Sequence, residues 1–437
     1  MPRLSRRRFL STSAAASSAL ALGCYVNPAQ AQKSKSPNEK LSILGVGTTG
    51  RAGADLKELG SENIIGLADV DDNLIAKAAV LFPNARKYRD FRVMLEKEAE
   101  KADAVMVGTP DHTHAPAAAM ALRMGKHVYC EKPLTHTILE ARTLSNLAAE
   151  KKLKTQMGNQ IHAGDNYRRV VELVKAGAIG KVNEVHVWAA ASYYGGKFTT
   201  GTAAPAGFDW DLFLGPAPER PYSEGVHPFN WRKFWDYGTG ALGDFGCHYM
   251  DLAHWALDLR DPTNIEATGP KYDAVSTPEW CIAKYEYPAR GVNPAVKLTW
   301  YDSGRQPDIL ATLKRKDGSP LEFKSGQLFI GSEGMLISDY NRHFLLPEDK
   351  FLDYKRPEQS IPKSIGHHRE WVEAIKNDGT TLSNFDYAGA LTEAVMLGTV
   401  AYRAGKPIEW DAKNLKITNA PDAQQFVHKE YRKGWTL

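Results

Sequence analysis

Cysteine is scarce in this chain: four residues in 437, at positions 24, 130, 247 and 281, with no C-x-x-C pair. That spacing excludes a disulfide framework or a zinc knuckle as the basis of the fold, even in an oxidising compartment. Long apolar runs are missing as well. The stretch 11–23 is too short for the roughly 20 residues that a bilayer span requires, and no later segment is apolar enough, so a soluble protein is expected. Excess charge is also lacking beyond the first residues. Four arginines and no acid lie in 1–31, so of 55 basic and 51 acidic side chains the remainder carries 51 of each sign. A neutral chain offers no field for nucleic acid or an anionic membrane.

What is present begins with a leader. Ser5-Arg6-Arg7-Arg8-Phe9-Leu10 matches the twin-arginine pattern, an Ala/Ser/Leu-rich stretch follows, and Ala29-Gln30-Ala31 is a small-x-small cleavage site. Residues 1–31 are expected to be a signal peptide removed before Gln32, and the protein to be exported folded to the periplasm. Cys24, after Ala21-Leu22-Gly23, is an alternative lipidation point, although leucine before that glycine fits a lipobox poorly. The ~400 remaining residues exceed one usual core. They are expected to divide into two domains, 32–160 and 161–437.

The first of these rests on Gly45, Gly47 and Gly50, a G-x-G-x-x-G turn that closes the apolar run 41–46. In such a turn the first glycine permits a tight bend and the second lets backbone N–H groups approach a pyrophosphate. The third lets the following helix pack on the strand. The helix N-terminus at Thr48, Thr49 and Gly50 favours negative charge. Asp69 ends the next apolar run, near the position from which a carboxylate accepts the adenosine ribose hydroxyls and repels a 2′-phosphate. NAD is therefore favoured over NADP. Further apolar runs at 104–107, 127–130 and 155–157 alternate with helical patterns at 72–81, 115–124 and 138–151, as a doubly wound parallel sheet requires. Ligands sit beyond the carboxyl ends of such strands, which aligns Gly47, Asp69, the stretch Thr109-Pro110 through His114, and Glu131-Lys132-Pro133 along one edge.

After 160 the pattern changes. A helix at 167–176 leads to a run at 182–192, an aromatic-rich irregular stretch at 193–237 and a helix at 241–257. Alternating runs at 265–268, 280–287, 295–301, 309–313, 327–331 and 334–339 read as antiparallel strands, and helices at 368–377 and 387–404 follow. The fold class is α/β: a Rossmann domain, then an α+β domain with a mainly antiparallel open sheet.

Chemistry concentrates in two places. Lys132 follows a strand of the nucleotide domain, and Asp244 and His248 share a helix face at i and i+4. A histidine near a carboxylate serves as a proton acceptor near neutral pH, and a lysine near the same substrate oxygen polarises it. Asn159, Gln160 and His162 follow the last nucleotide-domain strand, where they could meet substrate hydroxyls or simply satisfy a loop. Trp231 and Arg232 stand just before the Asp/His helix and are favoured for substrate contact, by ring stacking and charge. Asp111, His112, His114 and His248 lack the defined ligand set of a zinc site, so no metal is expected.

Thr109-Pro110-Asp111-x-x-His114, Gly125-Lys126-His127-Val128 leading to Glu131-Lys132-Pro133, and Gly240-x-x-x-Asp244-x-Gly246-x-His248-x-x-Asp251 occur in that order. With the glycine turn, this series resembles the Gfo/Idh/MocA family over nearly the whole chain after the leader. The resemblance implies hydride exchange between NAD(P) and a sugar or cyclitol hydroxyl carbon, in a homodimer or homotetramer. It gives Lys132, Asp244 and His248 the catalytic positions, with His248 the acid/base, sets His114 in the nicotinamide pocket, and makes 32–160 the NAD(P)-binding domain and 161–437 the substrate-binding and oligomerisation domain; Glu131 either buttresses Lys132 or caps a turn. Free dinucleotide is not expected outside the cytoplasm, so a tightly held cofactor recycled within the reaction is implied. Two alternatives stand beside this reading: a redox-neutral glycosidase, from which Lys132 leans away, and a non-catalytic sugar-binding protein.

Overall fold

The computed structural model describes residues 39–437, so the expected signal peptide and Cys24 lie outside the described residues. Six parallel strands form the first sheet: β1 (Ser42–Val46), β2 (Asn63–Ala68), β3 (Arg86–Tyr88), β4 (Ala104–Val107), β5 (His127–Cys130) and β6 (Thr155–Met157). Their order is β3-β2-β1-β4-β5-β6, so the winding reverses between β1 and β4. Ligand crevices open at such a switch point. The crossovers are α1 (Gly50–Glu58), α2 (Asp72–Leu81), α3 (Phe91–Glu98), α4 (Asp111–Arg123) and α5 (Ile138–Lys151). Helices on both faces explain why β4 reads Ala-Val-Met-Val without alternation: all four residues are buried. Local sequence sets the helix starts. Asp71 and Asp90 accept N-cap hydrogen bonds for α2 and α3, and Thr137 with Glu140 forms a capping box on α5.

The chain continues through α6 (Asp165–Lys175), β7 (Val182–Trp188), α7 (Trp210–Leu214) and α8 (Gly240–Leu257). Next come β8 (Asn264–Thr268), β9 (Ile282–Tyr287), β10 (Val296–Tyr301), β11 (Gly326–Gly331), β12 (Gly334–Ser338) and β13 (His343–Leu346). Helices α9 (His367–Lys376) and α10 (Phe385–Ala404) precede β14 (Ile408–Asp411) and β15 (Lys416–Ile417). The nine strands from β7 onward form one sheet, ordered β13-β12-β11-β7-β10-β9-β8-β14-β15. Every pairing is antiparallel except β7 with β10, which run parallel. Alternation along β9, with Ala283, Tyr285 and Tyr287 buried and Lys284 and Glu286 exposed, matches a sheet with one covered face.

Three features differ from the sequence reading. Residues 309–313, read as a strand, form a 3₁₀ turn (Asp308–Thr312), because Ile309, Leu310 and Leu313 at turn spacing pack beside Trp188 and Phe323. The strands β3, β13, β14 and β15 carry no sequence signal, being two to four residues long at or near sheet edges. Finally, the C-terminal part does not keep to itself. Helix α9 buries Trp371 and Val372 in the core formed by Ile43, Leu56 and Met106 of the parallel sheet and α1. Its His368 Nε2 lies 2.9 Å from Oδ1 of buried Asp55 on α1.

Candidate active site

A cavity of about 600 Å³ opens at the carboxyl ends of β1, β2, β4 and β5. That volume lies in the range of small-molecule and cofactor sites. Its floor is the glycine turn. Gly47 takes φ +87°, and a Cβ there would sit 2.8 Å from the Gly108 carbonyl oxygen. Gly50 takes φ +59°, and a methyl group there would meet no atom within 4 Å, so the first turn of α1 is open to a ligand. The roles of the outer glycines are thus exchanged relative to the sequence reading. Gly45 supplies the close packing, since a Cβ there would meet Leu56 of α1 at 2.9 Å, while Gly50 supplies the left-handed bend.

Asp69 stands in the wall at the end of β2. Its Oδ2 accepts from Thr48 N at 3.0 Å and Thr48 Oγ1 at 2.8 Å, and its Oδ1 accepts from Asp71 N at 3.2 Å. Burial pushes its pKa up against these donors. Arg89, in the same cavity wall, is already engaged by both carboxylate oxygens of Asp72. A strand-end carboxylate, an open helix N-terminus and a glycine that no larger residue can replace fit a dinucleotide: ribose hydroxyls on Asp69, pyrophosphate on the turn.

The other end of the cavity carries the titratable groups. Lys132 Nζ donates to Asp244 Oδ1 at 2.6 Å and to the Asp244 carbonyl at 3.1 Å. Burial alone would lower the Lys132 pKa, but the Asp244 carboxylate outweighs it and the net shift is upward. The converse holds for Asp244, where burial is outweighed by Lys132 and then Arg232, and the pKa falls below the usual carboxylate range. Arg232 Nε lies 3.7 Å from Asp244 Oδ1, with the guanidinium over the Trp231 ring at 4.1 Å. His248 lines the same cavity and its Nδ1 has no hydrogen-bond partner among the described residues. Burial and the Lys132 charge push its pKa down to about 3, so the ring is neutral. Asp244 therefore pairs with Lys132, not with the imidazole one turn further along α8. Glu131 is held beneath Lys132: its Oε1 accepts from Gln160 Nε2 at 2.5 Å and its Oε2 from Lys132 N at 3.3 Å.

Gly47, Thr48, Thr49, Gly50, Asp69, Thr109, Pro110, Glu131, Lys132, Trp231, Arg232, Asp244 and His248 all line this cavity. His114, Asn159 and His162 do not. The two ring nitrogens of His114 lie 2.8 Å from the Pro133 carbonyl and 2.7 Å from the Thr109 carbonyl, so it clips together two cavity loops from behind. Asn159 is fully buried and accepts from Ser383 Oγ at 2.7 Å. His162 Nδ1 meets Asp251 at 3.0 Å and its ring stacks on Trp255, while Tyr387 also donates to Asp251. Of the residues after β6, Gln160 reaches the cavity instead. Sequence reasoning missed Arg51, Val70, Leu74, Arg89 and His227. Their only signal is position after β1, β2 or β3, or within the aromatic stretch. That stretch makes a core of its own around Phe213, Trp231, Phe234 and Tyr237, and docks on the parallel sheet through Asp209 N to Val70 O at 2.8 Å.

Comparison with known proteins agrees with this geometry. Residues 40–159 match the family model for the NAD-binding Rossmann fold of the Gfo/Idh/MocA oxidoreductases, and 165–293 match the model for their C-terminal alpha/beta domain. The chain is 26% identical over 233 residues to the rhizopine catabolism protein MocA of Rhizobium meliloti, covering 53% of this chain and 61% of that one. It is 27% identical over 199 residues to the levoglucosan dehydrogenase of Pseudarthrobacter phenanthrenivorans, covering 44% and 42%. The match thus spans about half the length of these relatives. Among solved structures, the WlbA dehydrogenase from Bordetella pertussis in complex with NADH and UDP-GlcNAcA superposes with a TM-score of 0.59 at 14% identity, over 85% of this chain and 99% of that one, a likeness of fold. With two successive family models matched along the chain, a parallel sheet wound for a dinucleotide, and relatives of the same kind, the protein belongs to the Gfo/Idh/MocA family of oxidoreductases.

Proposed function

We propose that this protein is an oxidoreductase acting on a CH–OH group of a sugar, sugar derivative or cyclitol, with a tightly held NAD. The observation that carries the reading is the Lys132–Asp244 ion pair beside neutral His248 in the cavity framed by Gly47 and Asp69. A nicotinamide dinucleotide supplies hydride acceptance when bound. Gly47, Thr48, Thr49 and Gly50 would hold its pyrophosphate, and Asp69, beside an Arg89 already paired with Asp72, favours ribose hydroxyls over a 2′-phosphate. His248 accepts the hydrogen bond of the reacting hydroxyl, and the Lys132 ammonium stabilises the oxygen as negative charge develops there. Such preorganised charge is usually a large catalytic contribution. Asp244 fixes the ammonium, Arg232 and Trp231 face the rest of the sugar, and the aromatic stretch limits water entry.

The levoglucosan dehydrogenase and the sugar-nucleotide complex of WlbA support a carbohydrate substrate. A twin-arginine leader supports periplasmic export with the cofactor already loaded, and hence reoxidation by a second sugar. Mass spectrometry of gently purified, then denatured protein is expected to release NAD. Adding D-glucose, levoglucosan or myo-inositol is expected to reduce that NAD without net NADH release, and a second aldose to reoxidise it. Release of nitrophenol from aryl glycosides would instead favour redox-neutral cleavage. Absence of any dinucleotide and of NADH binding would refute the proposal.

A further inference from the structure

At its dinucleotide end the cavity is lined by residues that the parallel sheet does not supply. Asp69 marks the ribose position, with Val70 and Leu74 beyond β2 on one side and Thr109 and Thr113 beyond β4 on the other. In the parallel sheet alone, an adenine between those sides would sit in an open crevice. Here residues 207–215, which contain α7, lie across it, and Leu212 and Phe213 face the cavity.

This segment is fastened to both sides of the crevice. On the β2 side, Asp72 N donates to the Gly207 carbonyl at 2.9 Å and Asp209 N to the Val70 carbonyl at 2.8 Å, so that Phe208 bridges to Asp71 as a strand would. His227 strengthens that side: its Nε2 lies 3.4 Å from Asp71 Oδ2, and its ring stacks on Phe208 at 4.6 Å. On the β4 side, His112 Nε2 lies 2.8 Å from the Phe213 carbonyl oxygen, and a Cβ at Gly215 would sit 2.7 Å from Thr113 Cγ2. From outside, Arg432 of the C-terminal tail donates to the carbonyls of Asp211 at 2.8 Å and Gly215 at 3.1 Å. Trp210 stacks on Phe213 at 5.1 Å and donates to the Arg220 carbonyl at 2.8 Å, which ties α7 to the aromatic core. A ligand beneath a segment held at both ends leaves only when that segment opens locally, and such a requirement acts mainly on the dissociation rate.

Resting on the NAD reading of this cavity, we propose that residues 207–215 cap the adenosine half of the dinucleotide, with Leu212 and Phe213 as cofactor-binding residues contributed by the C-terminal part of the chain. The fastening to Val70 and Asp72 on one side and to His112 on the other makes the cofactor slow to exchange. Arg432 is a positioning residue, acting through the carbonyls at Asp211 and Gly215.

Two substitutions test the cap. Leu212→Ala removes a contact beneath it, and Arg432→Ala releases it from the tail without touching the cavity. Purified holoprotein is mixed with isotope-labelled NAD, sampled over time and denatured for mass spectrometry, which reports how fast the resident dinucleotide is replaced. Each variant is expected to exchange about tenfold faster than wild type or more, with the KM for an oxidised sugar unchanged. Arg142→Ala, which breaks a remote pairing with Glu393, controls for general loosening and should exchange at the wild-type rate. Wild-type exchange in both cap variants, or equal acceleration in Arg142→Ala, overturns the cap and leaves the NAD reading standing. A wild-type protein that retains no dinucleotide overturns both. Faster exchange in the cap variants without oxidation of any sugar supports the cap and marks failure of the substrate reading alone.

Discussion

Lys132 and Asp244 form a buried ion pair, and breaking one partner of such a pair typically costs about 3–5 kcal/mol because the other charge is left without compensation. Lys132→Ala is therefore expected to lower both the unfolding free energy and turnover. Combining Lys132→Met with Asp244→Leu is expected to recover most of the stability and none of the turnover, as urea unfolding and single-turnover assays would show. The glycines make a second contrast. Gly50→Ala meets no neighbour and suffers only left-handed backbone strain, roughly 1–2 kcal/mol, whereas Gly47→Ala also drives a methyl into the Gly108 carbonyl. NADH fluorescence titration should rank Gly47→Ala as the weaker binder. At this scale the sequence was legible wherever function needs a residue type in a fixed local pattern, as at Gly47, Asp69 and Lys132. It was silent on whether His114, Asn159 and His162 face the cavity or the core, because that depends on contacts with Pro133, Ser383 and Asp251, 19 to 224 positions away.

Among the elements, α9 joins what the sequence separates. Its hydrophobic face reads as a helix at 368–377, but nothing in that pattern says that Trp371 fills the core under β1 and β4. Trp371→Ala is expected to cost about 3–5 kcal/mol and to loosen the parallel sheet, not only the C-terminal part. Hydrogen exchange at Ile43 and Met106 amides checks this: faster exchange there is the expected result. The parallel strands were legible as short continuous apolar runs, and the amphipathic helices by the period of their buried residues. The 3₁₀ turn (Asp308–Thr312) was not, since a short apolar run fits a strand and a turn equally, and long-range packing on Trp188 decides.

Across the whole molecule, buried titratable groups set a stability profile. His112 at about 3, and His254 and His368 at about 4, lie below their unfolded value of 6.5. The stability they contribute is present above pH 6.5 and is lost as pH falls toward 4. Burial raises Asp302 to about 7 from 3.8, and burial, then Asp55, raise Glu131 above its unfolded value of 4.5, so their contribution is full at low pH and is lost as pH rises, for Asp302 through about 7. Thermal stability is expected to peak near neutrality and to fall on both sides, which melts at about pH 5, 7 and 9 would reveal. The two ends of one cavity must act together for this chemistry, and single-turnover reduction of the bound dinucleotide tests that most directly. Wild-type protein mixed with the D-glucose, levoglucosan and myo-inositol panel should develop reduced-nicotinamide fluorescence up to one equivalent per chain, and Lys132→Ala should bind NADH equally yet develop none. Equal reduction in the two proteins, or no dinucleotide binding in either, would contradict it.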